Sequence, residues 1–216
     1  MITVIGSLKG GSGKSTLTFN LAIWLLAAEV NICVIDADPQ ATLTDVADVR
    51  SEDGHNPKLT VLGGAALQQK ISKKFEETLI DIGTSNMDHV DLALNLADRV
   101  IVPVPPSQAD IWSIQRFVNY VKSVVRNRKL DILCFINRGD TNSSVRETED
   151  AEAALLALPG VKFIKTSIGQ RIVFRRSFSE GLAVFELDPN GKGTMELNAL
   201  AAILYPKIVI KLINKN

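Results

Sequence analysis

The chain has 216 residues, long enough for one sizeable core, and its 24 basic and 24 acidic side chains leave no net charge. That balance excludes wholesale electrostatic coating of nucleic acid, so any DNA contact must come from a local basic patch. No apolar run approaches the ~20 residues of a membrane-spanning helix, and a soluble protein is expected. Residues 1–206 read as a single domain and 207–216 as a C-terminal tail. The two cysteines, Cys33 and Cys134, sit inside apolar runs, with no CxxC pair and no secretory leader. A reduced, cytoplasmic setting is the simple expectation.

The first element is a short apolar strand, Ile2 to Ile5, followed by Ser7-Leu8-Lys9-Gly10-Gly11-Ser12-Gly13-Lys14-Ser15-Thr16 and then by a helix in which Leu17, Leu21 and Trp24-Leu25 share a face. Three glycines let successive backbone N–H groups converge on one point, where the new helix adds its positive end. Lys14 is placed along a chain of phosphates, and the Ser15 hydroxyl is placed to hold Mg²⁺. The loop lacks the usual glycine at Leu8 and has an extra lysine, Lys9, before the glycine pair. This Lys-Gly-Gly-x-Gly-Lys-Ser wording resembles the deviant phosphate loop of the ParA/MinD family of ATPases. The resemblance implies that ATP is gripped by residues Lys9, Gly10, Gly11, Ser12, Gly13, Lys14, Ser15 and Thr16. It also implies that Lys9 reaches across an ATP-dependent homodimer to the partner's nucleotide. The plainer alternative makes Lys9 a second basic residue over its own nucleotide.

The next apolar run, Asn31 to Ile35, ends in Asp36-Ala37-Asp38-Pro39-Gln40. Ligands of open parallel sheets sit at the carboxyl ends of strands, and two acids there can serve a metal and an attacking water. The Asp-x-Asp-Pro-Gln wording resembles the ParA branch, which implies that Asp38 aligns the hydrolytic water while Asp36 supports the metal shell. An Asx-turn ahead of Pro39 describes the same backbone without chemistry. Residues 50–58 are polar and read as a surface loop. Leu79-Ile80-Asp81 is an apolar strand ending in a candidate water-mediated Mg²⁺ ligand, Asp81. There the family commonly continues Asp-Thr-Pro-Pro, whereas this chain continues Ile82-Gly83-Thr84-Ser85.

Further runs at Val100–Val104, Ile132–Ile136 and Val161–Ile164 alternate with helical patterns, including one face of Ile111, Ile114, Phe117-Val118 and Val121. Strands alternating with helices predict an α/β fold, a mostly parallel twisted sheet with helices on both faces, and the motifs make it a deviant P-loop NTPase. Pro105-Pro106-Ser107-Gln108-Ala109-Asp110 resembles a nucleotide-sensing turn of the family, or is a helix cap made by Ser107 or Asp110. Asn137-Arg138 resembles the family's base-binding element, and an Asn amide suits the edge of adenine; a plain turn is the alternative. Arg171, Arg175 and Arg176 recur at helical spacing and predict one basic ridge near Lys162 or Lys165, able to neutralise DNA phosphates without reading sequence; a solvated charged face is the other reading.

The tail places Lys207, Lys211 and Lys215 four apart, opposite Ile208, Val209, Leu212 and Ile213. That is either a segment docked on the fold or a basic amphipathic anchor for a membrane surface. Taken together the resemblance implies a short ParA-like ATPase without a leading helix-turn-helix. It would bind non-specific DNA on the nucleoid and position a plasmid, a chromosome or a protein compartment, its slow hydrolysis stimulated by a cargo-bound adaptor. A MinD-like membrane-cycling ATPase is the alternative. Iron–sulfur carriers and tyrosine kinases of related fold are disfavoured by the strand-buried cysteines and by the presence of only Tyr120 and Tyr205.

Overall fold

The computed structural model describes residues 1–69, 75–126, 128–141 and 146–214. Its strands are β1 (Ile2–Ile5), β2 (Ile32–Asp36), β3 (Val61–Gly63), β4 (Glu77–Asp81), β5 (Arg99–Val104), β6 (Asp131–Gly139) and β7 (Lys162–Gly169). They form one sheet in the order β3-β2-β4-β1-β5-β6-β7, with every neighbouring pair parallel. Strands β4 and β5 are buried along their whole length, which is why their central residues read as apolar runs rather than as alternation.

Successive side chains of each strand enter opposite cores. Ile5, Leu79, Ile101 and Phe135 pack under α1 (Lys14–Ala27), α2 (Thr42–Glu52) and α8 (Lys192–Leu204), whereas Val4, Ile80, Val100 and Ile136 pack under α3 (Met87–Leu96), α4 (Gln108–Val124) and α5 (Glu147–Ala157). Helices therefore cover both faces, as the alternation of elements implied. Short helices α6 (Ile172–Ser179) and α7 (Val184–Leu187) follow β7, and α9 (Pro206–Ile213) ends the described chain. Cys33 and Cys134 are buried and unpaired.

β1 lies between β4 and β5, so the connection after it runs to one side of the sheet and later strands are added on the other. The crevice beyond the carboxyl ends at such a reversal is where ligands of open α/β sheets bind. Register sets the acids there: Ile5 and Asp36 both pair with Asp81. At the opposite end of the sheet Arg99 donates to Thr3 Oγ1 at 2.9 Å and to the Leu204 carbonyl at 2.8 Å, and lies over the Tyr205 ring at 4.7 Å. This cluster fastens the α8–α9 junction to β1 and β5.

One expectation changes. Residues 50–58 do not begin a surface loop: α2 continues to Glu52, and Arg50 is fully buried. Polarity misled because Arg50 is neutralised inside the fold. Its guanidinium donates to both carboxylate oxygens of Glu186 at 2.8 and 2.9 Å and to the carbonyls of Pro57 and Gly181. The tail is helical, with Ile208 packed partly on the core, but no residue of α9 is buried. Lys207 and Lys211 lie on it, Lys211 within 3.7 Å of Glu76; Lys215 lies outside the described residues.

Candidate functional site

The glycine-rich loop bends where the sequence predicts. Gly11 and Gly13 take φ of +75° and +88°, a left-handed backbone that side-chain-bearing residues resist. A Cβ on Gly13 would stand 2.5 Å from Asn137 Nδ2. That close approach lets Asn137, at the end of β6, donate to the Ser12 carbonyl at 2.7 Å, while Arg138 donates to the Gly11 carbonyl. Within the loop the Ser7 hydroxyl donates to the Lys9 carbonyl at 3.0 Å and meets the Ser12 hydroxyl at 3.1 Å. The loop carbonyls are thus held from outside, which leaves its N–H groups at the mouth of α1 free to face an anion.

Lys14, the first residue of α1, is buried and sends Nζ to the Lys9 carbonyl at 3.2 Å. Burial lowers its pKa, opposed by the nearby charges of Asp81 and Asp38. Gly10, Lys14, Ser15, Thr16, Asp38 and Thr84 line a cavity of about 280 Å³. A larger cavity of about 370 Å³ adjoins it through Gly13, Thr16 and Phe178, and is walled by Leu17, Ile168, Phe174, Asn137 and Arg175. One compartment is polar, with Lys14 on its wall, and the next is largely apolar. That sequence suits a polyphosphate joined to a flat, largely apolar base.

Asp81 is 1% exposed, and neither of its carboxylate oxygens has a hydrogen-bond partner. Burial raises it to about 7; the Ser15 hydroxyl beside it pulls the other way, and Asp36 adds to the rise. A buried carboxylate beside a hydroxyl that itself lines the phosphate-sized cavity fits a divalent cation such as Mg²⁺. Asp36 is engaged differently. Its Oδ2 accepts from the Thr44 backbone N–H at 2.9 Å and hydroxyl at 3.1 Å, stapling the first turn of α2 to β2. Asp38 accepts from the Gln40 N–H at 3.0 Å and lies on the wall of the polyphosphate cavity.

Lys9 is half-exposed, and its Nζ lies 2.8 Å from Asp110 Oδ1. Asp110 is buried at the start of α4, where Ser107 accepts from its N–H and donates to its carboxylate. The helix-cap reading of Ser107 is therefore met, and the same acid also holds Lys9. The single basic ridge is not formed. Arg171 precedes α6 and is paired with Glu196 at 2.6 Å, at the rim of the apolar cavity, while Lys162 is paired with Asp131. Only Arg175 and Arg176 remain exposed together on α6. Helical spacing broke because the chain is extended at Arg171, whose φ is −115°. The Asp110 pairing and the apolar walls from Phe174 and Phe178 were not anticipated; the aromatic spacing on α6 was the one sequence signal for the latter.

Residues 3–184 match the model of the CobQ/CobB/MinD/ParA nucleotide binding domain. The maintenance of carboxysome distribution protein A of Halothiobacillus neapolitanus is 25% identical over 210 residues, covering 94% of this chain and 95% of that one. A plasmid partition protein from Borrelia burgdorferi B31, solved bound to AMPPNP, shares the fold with a TM-score of 0.71 at 22% identity, covering 95% of this chain and 98% of that one. The septum site-determining protein MinD of Pyrococcus horikoshii, solved with Mg-ADP, does so with a TM-score of 0.70 at 19% identity, covering 94% of this chain and 95% of that one.

Proposed function

We propose that this chain, which belongs to the CobQ/CobB/MinD/ParA nucleotide-binding family, is a ParA-like ATPase that positions or segregates cargo. It would form an ATP-dependent homodimer, bind DNA non-specifically, and hydrolyse ATP slowly until a cargo-bound adaptor stimulates it. The observation carrying this reading is the placing of buried Lys14, Ser15 and Asp38 on the wall of one phosphate-sized cavity, with the buried carboxylate of Asp81 beside Ser15. The carboxysome-distribution and plasmid-partition names of its relatives supply the class of cargo.

In the mechanism, Gly10 to Thr16 present backbone N–H groups to the phosphates, and Lys14 neutralises charge that develops on them. Bound Mg²⁺ would supply charge neutralisation; Ser15 and Asp81 would hold it, with Asp36 bracing the strand end. Asp38, on the cavity wall, would orient the attacking water. Asn137 and Arg138 hold the loop from the base side, and the Asn137 amide, on the wall of the larger cavity, would face the base edge. Lys9 would exchange Asp110 for the partner's nucleotide when two copies meet.

Retention on non-specific DNA and on anionic liposomes, compared with ATP, with ADP and without nucleotide, tests the proposal. ATP-dependent DNA retention is expected, with charge reversal at Arg175 and Arg176 abolishing it while ATP binding persists. Each phosphate contact removed should flatten the log–log salt dependence by about 0.9. Undiminished DNA affinity in the reversed variant overturns the assignment to α6, and Arg171 is then the next residue to reverse. One observation favours a second reading: α9 carries Ile210 and Ile213 at 57% and 67% exposure beside its lysines. Liposome retention that disappears on removing residues 207–216, without DNA retention, would make this a membrane-cycling ATPase.

A further inference from the structure

The loop after β4 departs from its family's wording at Gly83, and the structure gives that residue a neighbour. A Cβ built on Gly83 would fall 2.3 to 2.5 Å from Cγ and both carboxylate oxygens of Asp38. Real Cβ atoms do not approach other atoms so closely, so the Asp38 carboxylate rests on the bare backbone of Gly83. The backbone φ there lies outside the left-handed region. The position therefore needs glycine for the space above it and not for its own conformation.

The backbone just before Asp38 is held from the same side. His89 Nδ1 lies 3.2 Å from the Ala37 carbonyl oxygen, which can only accept, so the ring donates from Nδ1. The ring itself lies against Gly64, where a Cβ would stand 2.5 Å from Cε1 and 2.6 Å from Nδ1. His89 is set in the first turn of α3, whose start is capped by Asn86 accepting from the His89 N–H at 3.2 Å. On the other flank the Ala37 N–H donates to the Asp81 carbonyl at 2.8 Å. The Asp36–Gln40 loop is thus seated on the segment that follows Asp81 through two contacts: a carboxylate on Gly83 and a ring nitrogen on the Ala37 carbonyl.

We propose that Gly83 and His89 are positioning residues for hydrolysis: Gly83 provides the seat of the Asp38 carboxylate, and His89 fixes the backbone that carries it. The proposal rests on the reading of Asp38 as the residue that orients the attacking water. Its consequence is directional. Movement of the segment after Asp81 carries Asp38 with it, so whatever displaces that segment changes the hydrolytic rate and leaves the grip on the phosphates to the glycine-rich loop.

Single-turnover ATP hydrolysis and ATP affinity, measured together in G83A, H89A, H89N, D38A and the G83A/D38A double variant, test this. G83A should slow hydrolysis tenfold or more with ATP affinity within threefold of wild type, and should add nothing to D38A. H89A should slow it about three- to tenfold, and H89N, whose amide nitrogen can donate to the Ala37 carbonyl, should recover most of the loss. Wild-type rates in G83A and H89A, with D38A impaired, overturn the positioning roles and leave the ATPase reading intact. An unimpaired D38A removes Asp38 from the chemistry, and both readings fall together. Should G83A not fold, the H89A and H89N pair decides, because neither adds a side chain to a filled space. A loss in H89A that H89N does not restore makes His89 a packing residue and overturns its positioning role.

Discussion

Arg50→Ala should destabilise the protein by about 3–5 kcal/mol, the typical cost of removing one partner of a buried ion pair. The guanidinium is 0% exposed, forks onto Glu186, and donates to the carbonyls of Pro57 and Gly181. Without it, two backbone acceptors lose their donors, a mostly buried carboxylate keeps only the Ala183 N–H, and a void opens between α2 and the segment joining α6 to α7. Gly181 worsens the outcome, because its missing Cβ lets that segment lie directly on the Arg50 backbone, with no slack to close the void. Against a total of about 5–15 kcal/mol, a large share of the folded state's margin goes. Glu186→Gln should cost less, since it keeps an acceptor for the fork and a shape that fills the space. Urea denaturation of both variants checks this: an Arg50→Ala loss below about 1 kcal/mol would mean the pair is no keystone between α2 and α7.

Arg50 also marks where the sequence was hard to read. A polar stretch with Gly54 and Pro57 looks solvated, and nothing local says that an acid at position 186 will neutralise its one arginine. The same limit explains Arg171: helical spacing counted it with Arg175 and Arg176, but Glu196, on α8, captures it before the helix begins. What was legible depends on local physics. The apolar runs within β4 and β5, the φ > 0 glycines of the phosphate loop, and acids at strand ends are set by their own few residues, and the register that puts Asp36 beside Asp81 follows from parallel pairing. The seat of Asp38 on Gly83 was visible only as an unexplained departure from the family's Pro-containing wording, because its meaning needs a neighbour from another loop. Asn137 falls between: its motif was readable, but its amide N–H group is committed to the Ser12 carbonyl, which only the folded loop shows.

The phosphate loop should yield the sharpest separation of function from stability. In wild type, ATP at one hundred times its Kd should add about 2.7 kcal/mol to the folded state, which for a domain of this size raises Tm by about 5–10 °C. In Lys14→Met that rise should vanish, because a charge-assisted phosphate contact in a water-poor site is worth at least about 100-fold in affinity. Without nucleotide the same variant should melt within about 3 °C of wild type. The reason is that burial disfavours the Lys14 charge, and the attraction of Asp81 and Asp38 and one bond, to the Lys9 carbonyl, only offset that cost. Methionine keeps the length and apolar stem, loses the desolvated charge, and gives up that one bond. The charge also steadies its neighbour: Lys14 is the cation that favours ionised Asp81, so in Lys14→Met that carboxyl will hold its proton more firmly. Scanning calorimetry with and without ATP·Mg²⁺ separates the terms. A Lys14→Met protein still stabilised by ATP would show that the loop binds phosphate through its backbone alone, while a large loss of stability without nucleotide would make Lys14 a structural residue that the phosphates merely borrow.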